Sequence, residues 1–184
     1  DRVREITGGR LVIVGEGPER ERLEAMAGPG VTFTGYVEEE EKQRLLASSW
    51  LLLHPSEFEG WGLVISEAGA AGTASLGFDV PGVRDSIADG ISGVIVSTPV
   101  EMAAEWVALT ADPARRMRLE DGARVRAAQF STGATVEHFL EIADEALARP
   151  RIPARLPARP RAVERSHVPV TTPPEVSIVV PAYN

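Results

Sequence analysis

Glu59 and Glu67 stand eight positions apart in Glu59-Gly60-Trp61-Gly62-Leu63-Val64-Ile65-Ser66-Glu67, just after the apolar run Trp50-Leu51-Leu52-Leu53, which ends at His54-Pro55. Two chemistries meet in this stretch. An ionised Glu can only accept hydrogen bonds, so the carboxylates suit hydroxyl groups. The glycine turn between them is expected to open a helix, whose first N–H groups and positive dipole end suit a phosphate. A ligand with both hydroxyls and phosphate, such as a nucleotide sugar, satisfies both halves. The spacing equally fits two solvated carboxylates. It also fits the acid and base of a glycoside hydrolase, whose carboxyl groups stand roughly 5–9.5 Å apart across a sugar. The phosphate-type turn favours a phosphorylated ligand over the hydrolase.

Leu63, Val64 and Ala68, with Ala70 and Ala71, mark the following helix as one packed on a sheet. Glu67 in such a helix has limited access to water, and a buried carboxylate without partners is costly. Gly15-Glu16-Gly17-Pro18 is a second glycine turn; it lacks the full G-x-G-x-x-G pattern and reads equally as a tight strand-to-helix connection. Glu38 to Glu41 is expected to be the solvated, dipole-favoured first turn of a helix. His54 is expected to serve structure at a strand end. Trp61 is open to two uses, stacking on a ligand or anchoring the loop.

The elements that must position these residues follow from alternation. Five short apolar runs, Leu11-Val12-Ile13-Val14, Val31-Thr32-Phe33, Trp50 to Leu53, Ser75 to Phe78 and Gly93-Val94-Ile95-Val96, are mostly bounded by Gly or Pro. Continuous rather than alternating apolarity marks parallel strands buried on both faces. Helices are predicted at about 18–27, 38–48, 62–71 and 83–88, then near 100–111, 113–129 and 134–148. Asp112-Pro113 supplies an N-cap and first helical residue, and Val136, Phe139, Leu140, Ala143 and Leu147 mark one face of the last helix. The order predicts an α/β fold: an open, doubly wound, Rossmann-like parallel sheet in three α/β/α layers. Ligands in such sheets collect beyond the carboxyl ends of the strands. There the chain offers Gly15 to Pro18, Gly35-Tyr36-Val37, Pro55 to Gly62 and Asp79-Val80-Pro81-Gly82.

Composition narrows the function classes. At 43% hydrophobic and 25% charged residues the 184-residue chain is globular in class. It has no cysteine and three scattered His, which argues against disulfide and zinc frameworks. No apolar run approaches the ~20 residues needed to span a membrane. Residues 149–174 hold six Arg, one Glu and seven of the fourteen prolines; their net charge is +5, leaving −13 on the rest. The folded part is acidic, which disfavours nucleic acid as a partner. Three segments are therefore expected: a domain at 1–148, a Pro/Arg-rich linker at 149–174, and at 175–184 the first strand of a further domain. An extended linker of about 25 residues reaches ~80 Å at most, at ~3.1 Å per residue. Its Arg side chains could touch anionic lipid or simply be solvated. A cytoplasmic setting is expected, with the inner face of the membrane as the place for such a peripheral contact.

Taken in order, Leu11 to Arg20, Val31 to Tyr36, Pro55-Ser56, Glu59 to Leu63, Glu67-Ala68, Ala71-Gly72-Thr73 and Asp79 to Asp85 resemble the C-terminal domain of a group 1 (family 4) retaining glycosyltransferase of the GT-B fold. The resemblance covers about residues 8–148. It implies that Glu59 and Glu67 are the family's E-x7-E pair. Glu67 would then bind the ribose hydroxyls, and Glu59 the donor sugar, as the catalytic position. Gly60, Gly62, Leu63 and Val64 would contact the donor, with the N–H groups of the last three on its distal phosphate. The Gly35-Tyr36-Val37 loop would lie along the nucleobase, placing Tyr36 in the donor set, and the Gly15-Gly17 turn would line the cleft. The family's same-face displacement expels a nucleoside diphosphate and requires no metal or other cofactor in this domain. The acceptor would be a glycan or lipid-linked molecule, held by an N-terminal domain and used in cell-envelope polysaccharide synthesis.

The chain departs from the family in places. Gly72-Thr73-Ala74-Ser75 replaces the usual Gly-Thr-Pro-Val, a change expected to touch only the start of a strand. The family's diphosphate-neutralising Arg and Lys follow an earlier strand, and none is read before Gly8. The piece alone is therefore expected to be inactive or nearly so. The tail Val176 to Asn184 resembles the opening of a family 2, GT-A glycosyltransferase. Alternatives to a donor-binding transferase fragment are a non-catalytic nucleotide-sugar module and a structural domain that only positions its neighbour.

Overall fold

The structure is a computed structural model that describes residues 8–148; the linker expected at 149–174 and the strand expected at 175–184 lie outside the described residues. Among the described residues five strands form: β1 (Leu11–Val14), β2 (Val31–Gly35), β3 (Leu51–His54), β4 (Ala74–Phe78) and β5 (Gly93–Val96). The helices between and after them are α1 (Arg20–Met26), α2 (Glu39–Ala47), α3 (Leu63–Ala71), α4 (Pro81–Ser86), α5 (Pro99–Ala111), α6 (Pro113–Ala128) and α7 (Thr132–Ala148). Among the described residues every strand pairing is parallel, as the continuous apolar runs predict. Hydrogen bonds divide the strands into a β1–β2 pair and a β3-β4-β5 sheet.

Strand alternation sends side chains of the larger sheet to two covered faces. Leu51, Leu53, Ala74, Leu76, Val94 and Val96 pack with Met102, Leu109 and Leu119 from α5 and α6. Leu52 and Ile95 point the other way, onto Ile65, Val83 and Ile87 from α3, α4 and the residue after it. This is the three-layer arrangement, with β4 central and Leu76 fully buried. On the α4 face β4 carries only Ser75 and Gly77, and a Cβ on Gly77 would lie 2.8 Å from Val83 Cγ1. The small residues let α4 come close.

Local chemistry sets the helix ends. The Thr98 hydroxyl accepts from the Glu101 amide at 3.2 Å while the Glu101 carboxylate accepts from the Ser97 amide at 2.7 Å, a reciprocal cap ahead of Pro99. Asp112 caps α6 through the Arg115 amide at 2.9 Å, with Pro113 first in the helix. The helix predicted at about 83–88 starts two residues earlier, because Pro81 is pre-set for a first helical position. Helix α2 is locked to the start of β4 by the Thr73 hydroxyl, which donates to the Leu46 carbonyl at 2.6 Å. The chain divides into two compact units between Ser131 and Thr132. Helix α7, by itself, carries the predicted apolar face, and none of its residues is buried. Among the described residues no helix is long and apolar enough to cross a membrane.

Candidate functional site

The apolar strand β3 delivers His54 to its carboxyl end, buried at 5% exposure. Pro55 and Ser56 then turn the chain into the loop that carries Glu59 and Gly60. Gly62 closes the loop in the left-handed region, at φ 76°, and is the N-cap of α3. A side chain there is excluded twice over: by φ, and because its Cβ would meet Ile65 Cδ1 at 2.7 Å. No side chain caps α3. Leu63 and Val64 form its first turn, where amides have no intrahelical partner. Helix α3 therefore points its positive end at the same loop that holds Glu59.

Both carboxylates are sheltered, with side-chain exposures of 19% for Glu59 and 29% for Glu67, and neither points into bulk water. Glu59 Oε2 lies 3.1 Å from His54 Nε2. Its Oε1 accepts from the Gly60 amide at 3.0 Å and, at a longer 3.5 Å, from that of Trp61. Burial opposes the charge on Glu59. The Trp61 and Gly62 amides and the His54 ring outweigh it and hold the carboxyl below the usual range. Burial pushes the His54 imidazole below its ordinary value despite the pull of Glu59. Glu67 lies on α3, and its Oε1 meets Lys42 Nζ from α2 at 3.0 Å. Its Oε2 is buried with no hydrogen-bond partner.

Two neighbours fix the loop. The Trp61 indole N–H donates to Ser66 Oγ at 3.0 Å, and its ring meets Phe130 edge-on at 4.6 Å, so Trp61 is a loop anchor. Beneath the loop, Gly82 of α4 packs so closely that a Cβ would collide with the Glu59 and Gly60 backbone. The Asp79 to Gly82 turn thus supports Glu59 from below, and Asp79 itself pairs with Arg84 at 2.5 Å.

The second glycine turn lies at the ends of β1 and β2. The Gly15 amide donates to the Gly35 carbonyl at 2.9 Å. Gly15 and Gly17 line a depression with Ile13, Arg20, Leu23 and Phe33. Tyr36, one residue past β2, is 76% exposed. The predicted residues thus fall in two groups: Glu59, Gly60, Gly62, Leu63, Val64 and Glu67 on the β3–α3 unit, and Gly15, Gly17 and Tyr36 at the β1–β2 ends. Among the described residues no three metal-ligating side chains converge.

Sequence reasoning missed Lys42 and undervalued His54. Lys42 follows the run Glu38 to Glu41, which reads as a solvated turn. Glu41 indeed pairs within its own helix with Arg44, at 2.5 Å. Lys42 pairs with Glu39 in its own helix and also crosses to Glu67 on α3, a reach that only helix packing reveals. The signal for His54 was its place five residues before Glu59, at the end of an apolar strand.

The family profile described as "Glycosyl transferases group 1" matches residues 1–112. The GDP-mannose-dependent alpha-mannosyltransferase of Corynebacterium glutamicum is 38% identical over 103 residues, 53% of this chain and 25% of its own length. The alpha-D-kanosaminyltransferase of Streptomyces kanamyceticus is 34% identical over 142 residues, 72% of this chain and 36% of its own. Among solved structures, sucrose-phosphate synthase from Thermosynechococcus elongatus superposes with a TM-score of 0.68 at 26% identity, covering 80% of this chain and 43% of that one. Anabaena HepE, solved in complex with UDP-glucose, superposes at 0.65 with 17% identity, covering 78% and 44%, a likeness of fold. The chain spans about a quarter to a third of the length of these curated relatives. With the profile matching more than half of the sequence, and parallel α/β layers shared with structures of the GT-B fold, the chain belongs to the group 1 glycosyl transferases.

Proposed function

We propose that this chain is the donor-binding part of a retaining hexosyltransferase that moves a sugar from a nucleotide sugar to a glycan or lipid-linked acceptor. One observation carries the reading: two sheltered carboxylates, Glu59 and Glu67, flank the uncapped N-terminus of α3 on a single loop–helix unit. Glu67, sheltered on α3 beside Lys42, takes the ribose hydroxyls. Glu59 faces the donor sugar and helps place its anomeric carbon. The amides of Leu63 and Val64, with that of Gly62, hold the distal phosphate, where charge grows as the nucleoside diphosphate leaves. Fixed dipoles aimed at that charge are the main lever on rate, and no metal is needed for it. Gly60, Gly15, Gly17 and Tyr36 complete the donor contacts. Solved relatives of the same fold include proteins crystallised with UDP-glucose and with UDP and GlcNAc, which supports a nucleotide sugar as ligand. The acceptor belongs to the cell envelope, reached from the cytoplasmic side of the membrane, and the chain by itself has little turnover.

Held low, Glu59 is unsuited to be a hydrolase's acid, which needs a raised pKa. Calorimetric titration of the chain with UDP-glucose and GDP-mannose tests the proposal; saturable binding is expected. A folded chain that binds neither at millimolar concentration would overturn it.

A further inference from the structure

We propose that Lys42 is a positioning residue for nucleotide recognition, locking the orientation of the Glu67 carboxylate that receives the ribose. The proposal rests on the ribose role of Glu67 given above.

Lys42 belongs to α2, yet its side chain is only 12% exposed, because it reaches across to Glu67 on α3. Its ammonium stands between two carboxylates, 2.8 Å from Glu39 Oε2 and 3.0 Å from Glu67 Oε1. Glu39 is largely solvated at 68% exposure, whereas Glu67 is sheltered at 29%. The contact with Glu67 is the one that fixes geometry. A carboxylate in a place with restricted water needs compensating charge, and Lys42 supplies it across the α2–α3 contact. That contact is rigid, since Thr73 ties the end of α2 to the start of β4.

The consequence lies in the orientation of the carboxylate. Lys42 holds Oε1 while Oε2 is packed away from solvent, so the group keeps one orientation. A carboxylate held in that way accepts from a hydroxyl and from nothing apolar. A ligand lacking that hydroxyl forgoes the bond, which is how a site rejects a deoxy analogue. Without Lys42 the carboxylate turns toward water and the discrimination goes with it.

The test compares UDP with 2′,3′-dideoxy-UDP, and GDP with 2′,3′-dideoxy-GDP, by calorimetry on the full chain. The wild type should prefer the ribonucleotide of at least one pair roughly tenfold. Lys42→Met should bring that ratio close to one while dideoxynucleotide affinity changes by less than about twofold, and Lys42→Arg should restore most of the ratio. A wild-type ratio retained in folded Lys42→Met, or equal losses for both nucleotides, overturns the positioning role and leaves the ribose reading intact. A wild type that binds both members of each pair equally overturns the ribose reading, and this proposal with it. If Lys42→Met does not fold, as judged by circular dichroism, Lys42→Gln is read by the same outcomes.

Discussion

His54 donates to Glu59 across 3.1 Å between Nε2 and Oε2. The direction of the bond follows from charge: Glu59 is held ionised and can only accept, so the proton is on the ring nitrogen. The buried, neutral imidazole therefore carries its hydrogen on Nε2. One side of Glu59 is thereby fixed by the strand end, and the other by its own loop amides.

Removing that donor should loosen the carboxylate without disturbing the helix terminus. In His54→Leu, affinity for UDP-glucose or GDP-mannose is expected to fall by roughly 1–3 kcal/mol, the range of a hydrogen bond to a charged group. Affinity for the bare nucleoside diphosphate should hold. Calorimetry on both ligand types checks this, and His54→Gln should recover part of the loss. Parallel losses for sugar-bearing and bare nucleotides would show His54 acting through stability alone.

Acid should destabilise the domain in two stages. His54 is depressed from 6.5 by burial, so the native state resists its protonation. Its contribution is complete above that value and declines as pH falls through the lower folded pKa. Glu59 is depressed from 4.5, which adds a second decline below that pH. Urea midpoints from pH 8 to 4 should fall steadily from about pH 6.5 downward. His54→Leu should flatten the upper part of the curve. A wild-type midpoint that rises on acidification from pH 6.5 would contradict the assignment.

Two glycines only 22 positions apart should respond oppositely to one methyl group. Gly82→Ala drives a Cβ into the Glu59 and Gly60 backbone. A cost of about 1–3 kcal/mol is expected, together with weaker donor binding, because the loop must move. A Cβ at Gly60 meets nothing within 4 Å, so Gly60→Ala should leave the unfolding midpoint unchanged within error. Thermal or urea unfolding of the two variants decides it, and equal stability would remove the packing argument.

If the proposed donor site holds, Glu67→Ala should weaken nucleoside diphosphate binding by roughly 1–3 kcal/mol while inorganic phosphate, assigned there to amides alone, binds as before. Competition titrations of phosphate against UDP or GDP measure both. The same loss for each ligand would place Glu67 in the anion cradle instead of at the sugar.

The strands and the long helices were readable from the sequence because each obeys one local rule. Val94 to Val96 and Leu51 to Leu53 are apolar without interruption, and such runs fit a strand covered on both faces. Asp112-Pro113 announces α6 through its cap and fixed φ. The pairing of Glu59 and Glu67 with a glycine turn was equally visible, since spacing and residue type carry it. What escaped was everything set by contact between elements. Lys42 looks solvated when counted along α2 and becomes a partner of Glu67 only when α2 packs on α3. The ends of α4 shifted because Pro81 outranks the apolar residues that suggested a later start. The β1–β2 ladder stands apart from β3-β4-β5, a matter of register and crossover that residue types do not encode.

The indole of Trp61, stapled to Ser66 and wedged on Phe130, has a consequence for how association proceeds. A segment already shaped before any partner arrives loses little conformational freedom on docking. Encounter with an anionic molecule is then governed by field and desolvation, with little change in backbone order.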